Sequence, residues 1–132
     1  MNIDFDKAGG LVPAIIQDHL SGEVLMLGFI SSVSLAETKR SGEVVFFSRS
    51  HNKLWKKGES SGHVLRVREL RVDCDADALL VRVEAVGPGV CHEGFRSCFF
   101  RKLEGDGTAK ITEERTFAPE TVYGRQKQEK KT

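Results

Sequence analysis

Residues 11–30, LVPAIIQDHLSGEVLMLGFI, set the architecture that the rest of the chain must fit. Two runs rich in aliphatic and β-branched side chains, residues 11–18 and 23–30, flank the tetrapeptide HLSG, whose Ser-Gly end is typical of a turn. Because two strand-like runs joined by so short a connection can pair with each other, these residues predict a β-hairpin.

Strand-like patterns continue beyond the hairpin. Apolar and polar residues alternate along residues 64–72, and the alternation slips near Arg68-Glu69 as it does at a β-bulge. Residues 54–63, LWKKGESSGH, have the composition of a loop, with Trp55 as the one large aromatic residue in it. The other predicted strands cover residues 43–49, 79–86 and 97–103.

Helix signals are few. Ser32 or Ser34 suits the N-cap of a short helix, and Gly42 suits the position that follows its last residue. A second short helix is predicted to start at Pro119. The sequence therefore predicts an α+β fold, a strand-dominated single domain with one or two short helices.

Composition restricts the partners of the protein. A chain of 132 residues has room for one domain of ordinary size. It carries 20 Lys and Arg against 19 Asp and Glu, and four of those cations lie in the last eight residues, RQKQEKKT, so the part before this tail is slightly acidic. The longest apolar run, residues 24–30, is far shorter than the roughly 18 residues of a membrane span, and the start MNIDFDK is unlike an export signal. We expect a cytoplasmic protein without a nucleic-acid or membrane partner.

The segment DCDAD, residues 73–77, is a candidate site for a hard cation. In an extended segment Asp73, Asp75 and Asp77 would point to one side and Cys74 to the other. Three carboxylates in a row repel one another unless water or a cation lies among them, and Mg²⁺ with its oxygen ligands suits that place. The alternative is a solvated acidic turn between two strands.

The three cysteines, Cys74, Cys91 and Cys98, are a candidate zinc site. No C-x-x-C pair occurs, which disfavours a structural Cys₄ or Cys₂His₂ site. Three thiolates leave the fourth tetrahedral position open, as in catalytic zinc sites, where the metal lowers the pKa of a bound water to about 7. Two alternatives remain: buried cysteines that act as small hydrophobes, and a closed structural site completed by His92 or His63.

Four segments resemble one enzyme family, phosphoribosyl-AMP cyclohydrolase of histidine biosynthesis. These segments are GEVLMLGFI (22–30), GEVVFFSRSHNKLWKKGESSGH (42–63), RVDCDADALLVRVE (71–84) and GPGVCHEGFRSCFFR (87–101). The likeness spans about residues 9–103 and preserves order and spacing. Small departures fall at Val90, Glu93 and Phe100, none of which matches a metal ligand of the family.

The resemblance implies a reaction and two cofactors. The reaction is the hydrolytic opening of the adenine ring of phosphoribosyl-AMP at its N1–C6 bond, the third step of histidine biosynthesis. The implied assembly is an intertwined homodimer with one Zn²⁺ and one Mg²⁺ per subunit. Zinc would be shared between subunits by the residues that match the family's three cysteines, Cys74, Cys91 and Cys98, and magnesium would be bound by Asp73, Asp75 and Asp77.

The chemistry of such a site assigns roles to further residues. A purine alkylated at N1 is electron-poor at C6, so water activated by the metal can add there, and N1 leaves once it receives a proton. His92 or His63 could deliver that proton, and His92 is favoured because it adjoins Cys91. Candidates for contacts with the substrate phosphates are Arg49, Lys53, Lys56 and Arg96.

Two other functions compete with this one. A zinc nucleoside deaminase needs the H-x-E and P-C-x-x-C signatures, which the sequence lacks. A non-catalytic binding module stapled by zinc would use the closed site described above. We expect a catalytic domain over residues 1–105 and a C-terminal extension over residues 106–132 that ends in the basic tail, with no second catalytic domain.

Overall fold

The computed structural model describes residues 2–120. Its regular elements include a short 3-10 helix at Asp6–Ala8 and one α-helix, α1, at Ser32–Ser41. The strands in chain order are β1 (Leu11–Asp18), β2 (Val24–Ser31), β3 (Val45–Ser48), β4 (Lys53–Lys56), β5 (Leu65–Val72), β6 (Leu79–Ala85), β7 (Arg101–Leu103) and β8 (Ala109–Ile111). The described chain is therefore a strand-dominated α+β domain, as predicted.

The main sheet has four strands in the order β2-β1-β6-β5. The predicted hairpin is confirmed, since β1 and β2 pair antiparallel, whereas β1 and β6 pair parallel. The predicted bulge is also confirmed, because the register between β5 and β6 shifts between Val67 and Glu69. Pro13 is tolerated in β1 because pairing with β6 begins only at Ala14, so this part of β1 has a single neighbour.

One face of the sheet forms the core. Every second residue of β1 is buried, and the same alternation along β6 buries Leu79, Val81 and Val83. Phe46 of β3 closes the core over β2, where Gly28 leaves space for its ring, since a Cβ at position 28 would lie 2.5 Å from the ring. This packing fixes the β3–β4 hairpin against the main sheet.

Helix α1 is closed at both ends by the residue types that the sequence indicated. The N-cap is Ser31, one residue before the predicted Ser32, and its hydroxyl accepts from the N–H of Ser34 while the hydroxyl of Ser34 accepts from the N–H of Ser31. Gly42 follows the helix with φ of 75°, a left-handed conformation that glycine adopts without strain.

Two sequence predictions need correction. Residues 54–63 were expected to form a loop, but Leu54, Trp55 and Lys56 lie in β4, which pairs with β3 because Trp55 packs against Phe46 at 5.6 Å between ring centroids. Residues 97–103 were expected to form a strand, but only Arg101–Leu103 does. The residues at the start of this segment bond to β2 instead. The Ser97 hydroxyl donates to the carbonyl of Val24, and the N–H of Cys98 donates to the carbonyl of Leu25.

A second helix is predicted to start at Pro119; Pro119 and Glu120 are helical, and the rest of that prediction falls on residues outside the described ones. The predicted extension from residue 106 contributes β8, which pairs with β7. Within residues 2–120, no helix has the length and apolar content that a membrane crossing requires.

Candidate functional site

The DCDAD segment forms a tight turn between β5 and β6. The N–H of Asp73 donates to the carbonyl of Ala78 and closes the turn. Ala76, within the turn, has a left-handed backbone conformation with φ of 60°. The extended conformation expected from the sequence is therefore wrong, because the ladder of β5 and β6 ends at Val72 and Leu79 and the chain must reverse between them. The turn nevertheless brings together one oxygen each of Asp73, Asp75 and Asp77, within 4.8 Å of one another.

Hydrogen bonds and one lysine compensate the charge of this turn. The carboxylate of Asp73 accepts from the N–H groups of Asp77 and Ala78, and these bonds lower its pKa. Lys7 Nζ lies 3.3 Å from a carboxylate oxygen of Asp77, and this ion pair raises the pKa of Lys7. The oxygen-rich turn fits a hard divalent cation such as Mg²⁺.

A second group consists of two thiols near β2, where the N–H of Cys98 donates to the carbonyl of Leu25. Cys91 is buried and Cys98 partly buried, and both pack against Phe95 and Phe100, whose rings stack at 3.8 Å. Burial, together with the neighbouring Cys91, raises the pKa of the Cys98 thiol to about 11. The raised pKa means that the thiolate form of Cys98 is unfavourable without a partner. A bound cation such as zinc would stabilise that form, because thiols bind zinc as thiolates.

Cys74 is remote from this pair. It is exposed in the turn between β5 and β6, whereas Cys98 lies beside β2. The order β2-β1-β6-β5 places the two positions two to three strand spacings apart, about 10 to 14 Å. Among the described residues, the three cysteines therefore do not meet within one chain.

Lys57 directly follows β4 and was not assigned a role from the sequence. Its side chain is buried, and its Nζ lies 5.5 Å from the centre of the Trp55 ring. Burial lowers the pKa of Lys57, and its electrostatic interactions with Cys98 and Cys91 oppose that shift. Nothing in the sequence distinguishes Lys57 from Lys56, because only the folded hairpin turns one inward.

The two candidate histidines differ in their surroundings. His92 is exposed on the turn that starts at Cys91, where the N–H of Gly94 donates to the carbonyl of Cys91. His63 is partly buried, with its ring edge-on to Phe117 at 5.2 Å, and its Nδ1 is buried without a hydrogen-bond partner. His92 is thus open to a ligand from solvent, whereas His63 is partly covered and packs against Phe117.

The four phosphate candidates do not form one cluster. Arg49 lies over the ring of Phe29 at 3.8 Å, and Lys53 is exposed at the start of β4. Lys56 pairs with Glu43 at 2.5 Å. Arg96 donates to Asp18 at 2.9 Å and to Glu23 at 2.6 Å. Arg49 and Lys53 are therefore the two whose cationic groups form no ion pair among residues 2–120.

A segment of the C-terminal extension covers the turn that carries His92. The N–H of Thr116 donates to Gly94 at 2.8 Å, and Arg115 donates to the carbonyl of Glu93 while its guanidinium lies 4.9 Å from the ring of Phe95. This contact was not predicted from the sequence, because a polar segment without periodicity gives no signal of where it packs.

These features define a small α+β protein with a turn of three carboxylates that could hold a metal ion and with two thiols, one buried and one partly buried, packed against a pair of phenylalanines. A model of the phosphoribosyl-AMP cyclohydrolase family matches residues 26–100. The chain is 56% identical over 124 residues to the phosphoribosyl-AMP cyclohydrolase of Solibacter usitatus, which covers 94% of this chain and 98% of the relative.

Two further relatives carry the same name. The one from Desulforapulum autotrophicum is 49% identical over 123 residues, 93% of this chain and 98% of the relative. The one from Methanosarcina barkeri is 51% identical over 124 residues, 92% of both chains. The chain belongs to the phosphoribosyl-AMP cyclohydrolase family, whose members are hydrolases that act on a cyclic amidine C–N bond.

Proposed function

We propose that the chain catalyses the third step of histidine biosynthesis in the cytoplasm. In this reaction water opens the adenine ring of 1-(5-phosphoribosyl)-AMP at the N1–C6 bond and gives the phosphoribosyl-formimino-AICAR ribonucleotide. The observation that carries the proposal is the 56% identity to a phosphoribosyl-AMP cyclohydrolase over 94% of this chain. The grouping of thiols and carboxylates supports it, because hydrolysis at neutral pH needs an activated water.

The metal ligands follow from the donor atoms. Cys91 and Cys98 would bind zinc, with Cys74 of a second subunit as the third ligand, and Asp73, Asp75 and Asp77 would bind magnesium. When bound, zinc supplies a Lewis acid that makes water nucleophilic at neutral pH. The distance between Cys74 and the thiol pair supports sharing across a homodimer, because within one chain the third ligand is out of reach.

The side chains around the thiol pair would complete the reaction. We assign proton delivery to N1 to His92, because this imidazole is exposed beside Cys91 and is therefore accessible to the purine. His63, the alternative, is partly buried and packs against Phe117. Arg49 and Lys53 are the preferred phosphate partners, since Lys56 and Arg96 are engaged by carboxylates.

Replacing Cys91 by serine tests the activity and the metal site together. We expect Cys91→Ser to lose both bound zinc and the absorbance change of ring opening, because a serine hydroxyl is a poor zinc ligand. Zinc content is measured on the purified protein, and turnover is measured with phosphoribosyl-AMP in the presence and absence of Zn²⁺ and Mg²⁺. Wild-type protein stripped of metal and then reloaded is the control for reversible loss.

Each competing function gives a different result in the same assay. A deaminase would release ammonia from its nucleotide substrate, whereas ring opening releases none. A zinc-stapled binding module would hold zinc and cause no absorbance change. Full activity of a zinc-free Cys91→Ser protein would contradict the zinc assignment.

A further inference from the structure

Residues 112–117, called the covering segment below, pack on the turn that carries His92. The N–H of Thr116 donates to the carbonyl of Gly94 at 2.8 Å, and the N–H of Phe117 donates to the same carbonyl at 3.3 Å. The two backbones lie close together, because a Cβ at position 94 would be 2.6 Å from the carbonyl oxygen of Phe117. The covering segment and the turn are therefore in direct backbone contact.

Arg115 of the covering segment binds the residue that follows His92. Its Nε donates to the carbonyl of Glu93 at 2.9 Å, while its guanidinium carbon lies 4.9 Å from the centre of the Phe95 ring. Arg115 thus contacts the turn on both sides of Gly94. Because a guanidinium is planar and its N–H groups point in fixed directions, these two contacts together restrict the backbone at Glu93.

The covering segment also contacts the second candidate histidine. The rings of His63 and Phe117 meet edge-on, with 5.2 Å between their centroids. The His63 ring also lies against Gly87, where a Cβ would come within 2.5 Å of its Cδ2. One segment thus contacts both the turn of His92 and the ring of His63, although it lies outside residues 26–100, which match the family model.

We propose that Arg115 is a positioning residue, which holds the turn in the conformation that presents His92 to the purine. The inference rests on the proposed function, in which His92 delivers the proton to N1. Since His92 is exposed, its place depends on the backbone that carries it.

The exposure of Arg115 favours a role in the reaction over a role in stability. The residue is exposed, and substitutions at exposed positions usually change stability little. In contrast, a small displacement of a reacting group can lower a rate by roughly 100-fold. A contact of this kind therefore affects turnover more than folding.

The test replaces Arg115 by methionine, which keeps an apolar side chain and removes the donor. Turnover of phosphoribosyl-AMP is measured with Zn²⁺ and Mg²⁺ present, together with the zinc content and the urea unfolding of each protein. We expect kcat to fall about 10-fold while KM, zinc content and stability stay close to wild type, because bound substrate then meets a misplaced His92. Arg115→Lys keeps a donor and should recover part of the loss.

A double-mutant cycle distinguishes positioning from a general loss of structure. If Arg115 acts through His92, Arg115→Met should change kcat by less than about 2-fold in a His92→Gln protein. Single-turnover assays with excess enzyme keep the slow variants measurable. Arg101→Met is the matched control and should leave kcat unchanged, because the Arg101 guanidinium lies over the Phe100 ring at 5.0 Å but outside the turn of His92.

Four results would overturn the inference. The first is an unchanged kcat of Arg115→Met, and the second is an equal loss from this substitution in the wild-type and His92→Gln backgrounds. The third is a fall in kcat that merely follows a loss of zinc or of folded protein, and the fourth is full activity of His92→Gln. A wild-type protein without ring-opening activity would refute the proposed function itself, and this is seen before any variant is compared.

Discussion

Asp18 joins three segments at the end of β1. Its carboxylate accepts hydrogen bonds from the Ser21 hydroxyl at 2.8 Å and from Arg96 at 2.9 Å, and it accepts the N–H of Leu20. Burial by itself would raise the pKa of Asp18, but these hydrogen bonds and the Arg96 charge lower it overall. Arg96 lies between Cys91 and Cys98, so its hydrogen bond to Asp18 connects this segment to the end of β1.

Asp18→Asn should lower stability in a pH-dependent way. At pH 7 we expect the free energy of unfolding to fall by about 1 to 3 kcal/mol, because a hydrogen-bonded charge is lost. A depressed pKa stabilises the folded state above the ordinary value of 3.8, and this contribution disappears as the pH falls through the folded-state value. In urea titrations the difference from wild type should therefore shrink as the pH is lowered below 3.8.

The matched control is Asp106→Asn. Asp106 is exposed, and its carboxylate accepts from the N–H and hydroxyl of Thr108 in the turn between β7 and β8. An asparagine can keep this turn, so its effect should stay within about 0.5 kcal/mol. A loss in Asp18→Asn that stays constant over the whole pH range would contradict the role given to its charge.

At the scale of elements, a buried hydroxyl links α1 to β3. The Thr38 hydroxyl donates to the carbonyl of Ser34 at 2.8 Å and accepts from the N–H of Val45 at 2.9 Å. Thr38 is fully buried, so no water can replace these bonds.

Replacing the hydroxyl of Thr38 by a methyl group should destabilise the protein. Thr38→Val keeps the shape but leaves the N–H of Val45 unpaired, at a cost of about 1 to 3 kcal/mol in the free energy of unfolding. Thr38→Ser is the control, because it keeps the hydroxyl and loses only a methyl group, worth about 0.8 kcal/mol. The measurement is the free energy of unfolding of both variants in urea. A Thr38→Val variant as stable as Thr38→Ser would refute the role of the hydroxyl as partner of the Val45 N–H.

Strands in which buried residues alternate with exposed ones could be predicted closely from the sequence. The bounds of β1 agree with the prediction, and the bulge of β5 was visible as a slip in the pattern, because one face of these strands is buried. β4 was not predicted, because its two lysines and the following glycine resemble a loop, and its pairing depends on the distant Phe46. Tertiary contact here outweighs local composition.

The same distinction holds for the candidate site. Spacing was enough to suggest that Asp73, Asp75 and Asp77 act together, although the turn that gathers them was predicted as an extended segment. The burial of Lys57 was missed because it depends on how the chain after β4 packs beside Val44. Such contacts link residues far apart in sequence and leave no local pattern.

At the scale of the whole molecule, the separation of Cys74 from the thiol pair makes the proposed homodimer testable. Suppose that each zinc site takes Cys74 from one subunit and Cys91 with Cys98 from the other. The Cys74→Ser subunit then lacks one contribution to a site, and the Cys91→Ser subunit lacks the other. A mixed dimer of the two then has one site with both defects and one intact site.

Mixing the two inactive variants should therefore restore activity. After unfolding and refolding together, random pairing gives about a quarter of wild-type turnover, since half of the dimers are mixed and each has one intact site. The measurement is turnover of phosphoribosyl-AMP, with each variant refolded alone as the control. No recovery, in a mixture shown to contain mixed dimers, would mean that each zinc site is built within one chain.

The parallel pairing of β1 with β6 also determines the order in which a newly synthesised chain can assemble. β1 and β2 are neighbours in sequence and can pair early, whereas Ala14 and its partner Leu79 are about 65 residues apart. Closing so long a loop costs more entropy than forming a hairpin. We therefore expect the hairpin to form during synthesis and the turns that carry Cys74 and Cys91 to take their places only when most of the chain has left the ribosome.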